Sequence, residues 1–211
     1  MSRQPISLRF SETMTGFVTL DSSIDYDSGF RQGRDDDNRC AIALVLEIVD
    51  VDAFLRDPLA RTNAMGYVDC PKLGGRCQVE RGTVNLLVDL IPRRHRFKDF
   101  RYRLVFRTPT GRRLTLAGVK FVDNDGIIHL WRDTTKLFTR IFEGDVARDQ
   151  EDHATVVAAG ILHLHLLAFL RMLMLVRSAP ATPVAWIKGM TQFLWYFGGS
   201  LWQVYGLGKG R

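Results

Sequence analysis

At 211 residues with 46% hydrophobic content, the chain is long and apolar enough to bury one sizeable core, which excludes general disorder. Its net charge of +6 directs attention to negatively charged partners: anionic lipid headgroups, nucleic acid or an acidic protein surface.

The opening "MSRQPISLRF" has too short an apolar stretch for a secretory h-region, so no cleaved signal is read there. The compartment expected by default is cytoplasmic, with a peripheral place at the inner membrane as its variant. From Met14 to about Phe142, strand follows strand: "TGFVTLD", "CAIALVLEIVD", "NAMGYVDC", "GRCQVE", "GTVNLLVDL", "FRYRLVFRT", "RRLTLAGVKFV", "GIIHLWRD" and "TKLFTRIFE". Each is rich in Val, Ile, Leu, Thr or aromatics and is bounded by Gly, Pro, Asp or Asn. Two segments interrupt the series. Residues 25 to 39, "DYDSGFRQGRDDDNR", mix charges and glycines without period and predict a long surface loop beside a barrel mouth. "VDAFLRDPLAR" has helical spacing at Val51, Phe54 and Leu55, and Asp57-Pro58 ends the helix.

Cys40, Cys70 and Cys77 make no disulfide framework and offer no CxxC zinc spacing, so all three are expected to be reduced. The turn-rich "PKLGGR" between Cys70 and Cys77 leaves a bridge across a hairpin geometrically open.

Strict alternation puts Phe100, Tyr102, Leu104 and Phe106 on one face of a strand and Arg101, Arg103 and Arg107 on the other. Between Arg93 and Arg113 the basic residues face the single acid Asp99, so Arg101, Arg103 and Arg107 are the candidates for binding an anionic surface. Nucleic acid is disfavoured as the partner, because the aromatics that would stack bases lie on the opposite face. "TPTGR" and "DNDG" read as turns; "DNDG" lacks the ligand spacing of a calcium loop.

Beyond Gly144 the character changes. "ATVVAAGILHLHLLAFLRMLMLV" is nearly all apolar, but His163, His165 and Arg171 argue against a membrane span. A buried strand "AGILHLHL" followed by helix is predicted instead. His163 and His165 share a strand face without an evident third ligand, so no metal site and no cofactor are expected. The last element starts at Thr182-Pro183 as a helix and carries an aromatic surplus that includes Trp186, Trp195 and Trp202.

The predicted fold is mainly β, an antiparallel meander closing into a barrel or sandwich, lipocalin-like in outline, with C-terminal helices. Residues 1–150 form the β domain with its loop at 25–39; residues 151–211 add a final strand and a helical appendage packed on it. No nucleophile stands beside an obvious base, so no catalytic residue is assigned.

The segments "FSETMTGFVTL", "DYDSGFRQGR", "VDAFLRDP", "VERGTVNLLVD", "FRYRLVFRTPTGRRLTLAGVKFV", "LWRDTTKLFTRIFEG" and "FLWYFGGSLWQVYG" together resemble the segment accompanying the flavin domain in large bacterial cholesterol-oxidase-like proteins of the glucose-methanol-choline oxidoreductase group. Some of those proteins also carry an α/β-hydrolase domain. The flavin-binding GxGxxG strand-turn-helix is absent from this sequence, so the resemblance implies a non-catalytic accessory module of sterol or lipid metabolism rather than an oxidase. The partners it implies are an apolar small molecule, sterol or lipid, and a separately encoded flavin oxidoreductase or α/β-hydrolase.

Candidates to line a cavity are Tyr102, Phe106, Leu116, Lys120 and Trp131, aromatic and apolar walls with a polar handle. The enzymatic alternative, action on a bound steroid or lipid, has Asp133, Lys120 and Glu80 as its acid or base. A third reading is a membrane-peripheral interaction subunit, carried by the aromatic C-terminal helix.

Overall fold

Side-chain alternation decides the architecture. In β1 (Leu8–Thr19) Leu8, Phe10, Glu12 and Met14 are buried while Arg9, Ser11, Thr13 and Thr15 are exposed, the period of a strand with one face inward. The same pattern recurs in β2 (Arg39–Ile48), β3 (Arg61–Cys70) and β7 (Lys136–Glu143) and in the described side chains of β4 (Gly75–Ile91), β5 (Arg94–Arg107) and β6 (Arg113–Val122), whereas β8 (Val156–Leu164) is buried on both faces from Ala158 to Leu162. This computed structural model of the chain describes residues 7–20, 25–91, 94–122 and 136–164, together with residue 191.

Each strand pairs antiparallel with its neighbours in sequence, and β8 returns to β1, so the eight strands form a closed up-and-down barrel. The closing register runs from Met14 opposite Leu164 to Thr19 opposite Ala159. Closure leaves no edge strand to satisfy. Barrel rather than sandwich is therefore the outcome of the predicted meander.

One end of the barrel, here the upper end, gathers Leu8, Ile48, Arg61, Ile91, Arg94, Val122, Lys136 and Leu164; the lower end gathers Thr19, Arg39, Cys70, Gly75, Arg107, Arg113, Glu143 and Val156. The lumen is filled by Met14, Ile42, Leu46, Leu104, Phe106, Leu114, Leu116, Leu137 and Ile141, all fully buried. An eight-stranded barrel is just wide enough to be filled by side chains or to hold one small ligand. Burying each large apolar chain contributes about 1.5–3 kcal/mol.

Residues 25–39, expected as a loop, contain a helix, α1 (Tyr26–Asp35). Asp25 caps it by accepting from the backbone N–H groups of Asp27 and Ser28, each at 3.0 Å. The glycines that suggest a loop are its contact surface: a Cβ on Gly29 would lie 2.5 Å from the Ala159 carbonyl oxygen, and one on Gly33 2.4 Å from that of Val18. The helix thus lies backbone to backbone on the outside of β8 and β1. Phe30 meets Phe17 edge-on at 5.8 Å and His163 at 5.3 Å, and Tyr26 meets Phe138 at 5.6 Å.

Other boundaries also shift. β1 begins at Leu8 rather than Met14. "GRCQVE" and "GTVNLLVDL" are one strand, β4, whose pairing with β5 slips between Val79 and Arg81. The extra residue makes a bulge, which bends a strand without ending it. β8 completes the barrel, so the barrel runs to Leu164, past the boundary expected at residue 150.

Several expectations hold. α2 (Val51–Arg56) stops before Asp57-Pro58, and Asp50 caps it by accepting from the Ala53 N–H at 3.1 Å. The "TPTGR" turn is closed by Gly111 N–H donating to the Thr108 carbonyl at 2.9 Å, with Gly111 at φ 85°. "DNDG", "GIIHLWRD" and the C-terminal helices lie outside the described residues.

Candidate functional site

Three ionisable side chains meet inside this apolar lumen. Glu12 is the inward polar residue of β1. In the closed eight-strand order β5 stands four places from β1 and β6 three, so both face Glu12 across the barrel. Phe100 pairs with Lys120 and Tyr102 with Gly118, which sets Tyr102 and Lys120 diagonally on adjacent strands. Gly118 offers no side chain opposite the Tyr102 ring. The Tyr102 hydroxyl donates to Glu12 Oε2 at 2.8 Å, with Oε1 at 3.1 Å, and Lys120 Nζ donates to Glu12 Oε1 at 2.5 Å. The ammonium also lies 4.9 Å from the Tyr102 ring centre and 5.9 Å from that of Phe100, within cation–π range.

Lys120 is 3% exposed and Glu12 7%, which makes this a desolvated ion pair rather than a surface one. Burial holds the Lys120 pKa below the usual lysine value, and the Glu12 carboxylate opposes part of that shift. Burial first, then the charge and hydrogen bond of Glu12, push the Tyr102 phenol well above its ordinary range. Such a pair contributes little net stability, because desolvating both ions costs about as much as their attraction returns. The cluster combines one carboxylate acceptor, one ammonium donor and one phenol donor in an apolar wall, which suits orienting a hydroxyl or carbonyl group of an otherwise apolar molecule.

Tyr102, Phe106, Leu116 and Lys120 all point into the barrel. Tyr102 and Lys120 belong to the polar cluster, whereas Phe106 and Leu116 lie in the packed core, 1% and 0% exposed. Trp131 and Asp133 lie outside the described residues. Glu80 is a surface residue held by Arg107 at 2.9 Å and Arg113 at 3.4 Å. Glu12 is the residue the sequence reading misses. Its signal is the alternation Leu8, Phe10, Glu12, Met14, which puts a carboxylate at an inward position once β1 is started early enough.

Arg101, Arg103 and Arg107 do face outward on β5, but each is engaged. Arg101 Nε donates to Asp99 Oδ2 at 2.6 Å. Arg103 pairs with Glu151 and donates to the Val146 carbonyl at 2.5 Å. Arg107 donates to Glu80 at 2.9 Å and to the Gly111 carbonyl at 3.0 Å. Counting acids only within residues 93–113 overstates the positive face, because Glu80 and Glu151 arrive from other parts of the chain.

Two open clefts lie on the outside of the barrel. One of 440 Å³ is lined by Thr19, Leu20, Gln32, Asp36, Asn38 and Lys72; the other, of 500 Å³, lies over α2 and the start of β3. Neither includes a sequence-predicted site residue. Among the described residues no group of three or more His, Cys, Asp or Glu is placed to hold a metal ion, and no helix is long and apolar enough to cross a membrane.

Comparison with protein-family models, curated proteins and solved structures returns no match.

Proposed function

We propose that the barrel binds an apolar small molecule bearing one polar group, a sterol or lipid, and serves as a non-catalytic accessory module to a separately encoded flavin oxidoreductase of sterol or lipid metabolism. The observation that carries the binding half is the Glu12–Tyr102–Lys120 cluster: a buried ion pair costs more than an apolar filling of the same space, and functional sites are where that cost is met. Because the lumen is filled by side chains, a rigid ligand would have to displace some of them for its ring to lie against Phe100 and Tyr102, and its hydroxyl or carbonyl would exchange for one of the bonds within the cluster. The oxidoreductase half rests on the sequence resemblance.

Titration with a fluorescent sterol, competed by unlabelled sterols and long-chain fatty acids, tests the binding half. Saturable binding is expected, weakened about tenfold to a hundredfold by Tyr102→Phe or Lys120→Met, as loss of a buried hydrogen bond of about 1.5–3 kcal/mol predicts. A folded sample without saturable binding removes the carrier reading.

A second reading has one observation in its favour. The depressed Lys120 pKa beside Tyr102 makes an acid-base couple of the kind an isomerase uses on a bound keto-steroid. Deuterium uptake next to the ketone in D₂O, abolished by Lys120→Met, would select it over simple carriage. Membrane-peripheral binding is the weaker alternative, because Arg101, Arg103 and Arg107 are already paired within the chain. The outward positions Arg9, Ser11, Thr13, Arg61 and Asn63 are exposed and polar, the reverse of the apolar band of a lipid-facing barrel. Co-sedimentation with anionic vesicles that fails at low salt would end the membrane-peripheral reading.

A further inference from the structure

The lower end of the barrel holds chemistry that the proposed ligand site does not use. Cys40 is the second residue of β2 and Cys70 closes β3, and both thiols are buried, each 1% exposed. The paired register ends with Ala41 opposite Asp69, and Cys40 and Cys70 are the next residues of the two strands, so continuing the ladder by one step sets them opposite each other. Directly opposed residues of an antiparallel pair have Cα atoms about 4.5–5.5 Å apart, inside the span of about 4.4–6.8 Å that a disulfide bridges. The two side chains share the inward, buried face of β2 and β3.

The third cysteine is set apart. Cys77 stands opposite Val68, not Cys70, and its thiol is directed to the Gly75 carbonyl at 3.5 Å. The Cys70–Cys77 hairpin bridge, open on sequence grounds, is thus displaced by a strand-to-strand pair that sequence spacing does not reveal.

We propose that Cys40 and Cys70 form a redox-active dithiol, which a small peroxide oxidises to an intramolecular disulfide joining β2 to β3. Cys70 is the attacking sulfur. The hydrogen bond from Cys40 lowers its pKa most, and the backbone N–H groups of Leu73 and Lys72 add to that against the effect of burial. Cys40 stays protonated, raised by its bond to Cys70 and by burial, and acts as the resolving thiol. The Cys70 thiolate attacks one oxygen of hydrogen peroxide. The O–O bond breaks, a sulfenic acid forms and hydroxide leaves, to be protonated by solvent. The Cys40 sulfur then displaces the sulfenic oxygen as water while its proton is lost, and the S–S bond forms. Two thiols are oxidised, one peroxide is reduced, and the products are one disulfide and two waters. The 440 Å³ cleft is lined by Asn38 and Lys72, two positions in sequence from Cys40 and Cys70, but reaches neither buried thiol, so the oxidant has to be small enough to pass between packed side chains. A peroxide is small enough for that route, whereas oxidised glutathione is not.

The test takes the full reduced chain, treats it with hydrogen peroxide under native conditions, blocks remaining thiols with N-ethylmaleimide and maps peptides without reduction. A Cys40–Cys70 linked peptide is expected, with Cys77 alkylated, thiols restored by dithiothreitol and much slower reaction with oxidised glutathione. Cys77→Ser keeps the link. Cys40→Ser halts the reaction at a Cys70 sulfenic acid, trapped by dimedone; wild-type kinetics with dimedone present give the same order of events without any substitution. A Cys70–Cys77 link, a dimedone adduct at Cys40 instead of Cys70, or oxidation that appears only in urea overturns the proposal.

Discussion

Glu12 and Lys120 show how much a single buried side chain depends on its partner. Glu12→Gln leaves the Lys120 ammonium inside the barrel with no counter-charge, and breaking a buried pair in this way costs about 3–5 kcal/mol. Replacing both residues by Met is expected to be neutral or stabilising by about 1–4 kcal/mol for the same reason, while abolishing ligand binding. Urea denaturation of the two variants side by side measures the contrast. Tyr102 makes its own prediction in alkali. Its folded pKa lies above the ordinary 10.0, so the folded protein keeps the phenolic proton when the unfolded chain releases it. That stability is complete below pH 10.0 and is lost as pH climbs beyond it. Lys120 works in the opposite sense: its folded pKa lies below 10.5, so between the two values the unfolded chain binds more protons and stability rises with pH. Lys120 is present in both proteins, so the Tm of the wild type should fall more steeply above pH 10.0 than that of Tyr102→Phe. Parallel melting curves over the alkaline range decide it. At this scale the sequence displays Tyr102 and Lys120 as inward residues through period two. It cannot display their bonds to Glu12, which join positions 90 and 108 residues apart.

Helix α1 reverses the ordinary meaning of glycine. Alanine favours an isolated helix over glycine by about 1 kcal/mol, yet Gly33→Ala is expected to destabilise this protein by about 1–3 kcal/mol, because the new methyl meets the Val18 carbonyl at 2.4 Å and lifts the helix from the barrel. Circular dichroism with urea titration tests the sign. The glycine pair spaced at i and i+4 was present in "SGFRQGR", but the same residues fit a loop until a flat surface is supplied for them to approach. α2 was legible because its stop, Asp57-Pro58, is local. The eight strands were legible for the same kind of reason: alternation and turn residues are properties of neighbours. The bulge in β4 was not, since a Gly within a strand and a Gly between strands look alike in one dimension.

Closure is a property of the whole chain and has no local signature. A meander of these lengths suits a barrel or a sandwich equally, and the choice falls only when β8 finds β1 some 145 residues earlier, from Val18 opposite Gly160 to Met14 opposite Leu164. A chain ended at residue 150 would lack β8 and expose the facing edges of β1 and β7, with unpaired backbone groups and half the α1 docking surface gone. Such a chain is expected to aggregate rather than fold, as gel filtration and the amide NMR dispersion would report. The proposed ligand site was visible only in part for a related reason: its walls come from β1, β5 and β6, which no reading of adjacent residues brings together.

The position of α1 over the seam between β1 and β8 bears on the order in which the molecule assembles and comes apart. Seven of the eight strand pairings join sequence neighbours and close loops far shorter than the one the seam closes, so the seam is expected to form late. A helix that docks on both sides of the seam, through Gly33 and Phe30 against β1 and Gly29 against β8, makes its contacts after the rate-limiting barrier of folding. Contacts absent from the transition state slow unfolding and leave folding speed alone. The helix therefore works as a latch on time rather than on equilibrium alone: stopped-flow chevrons of variants in α1 should move on their unfolding limb and superimpose on their folding limb.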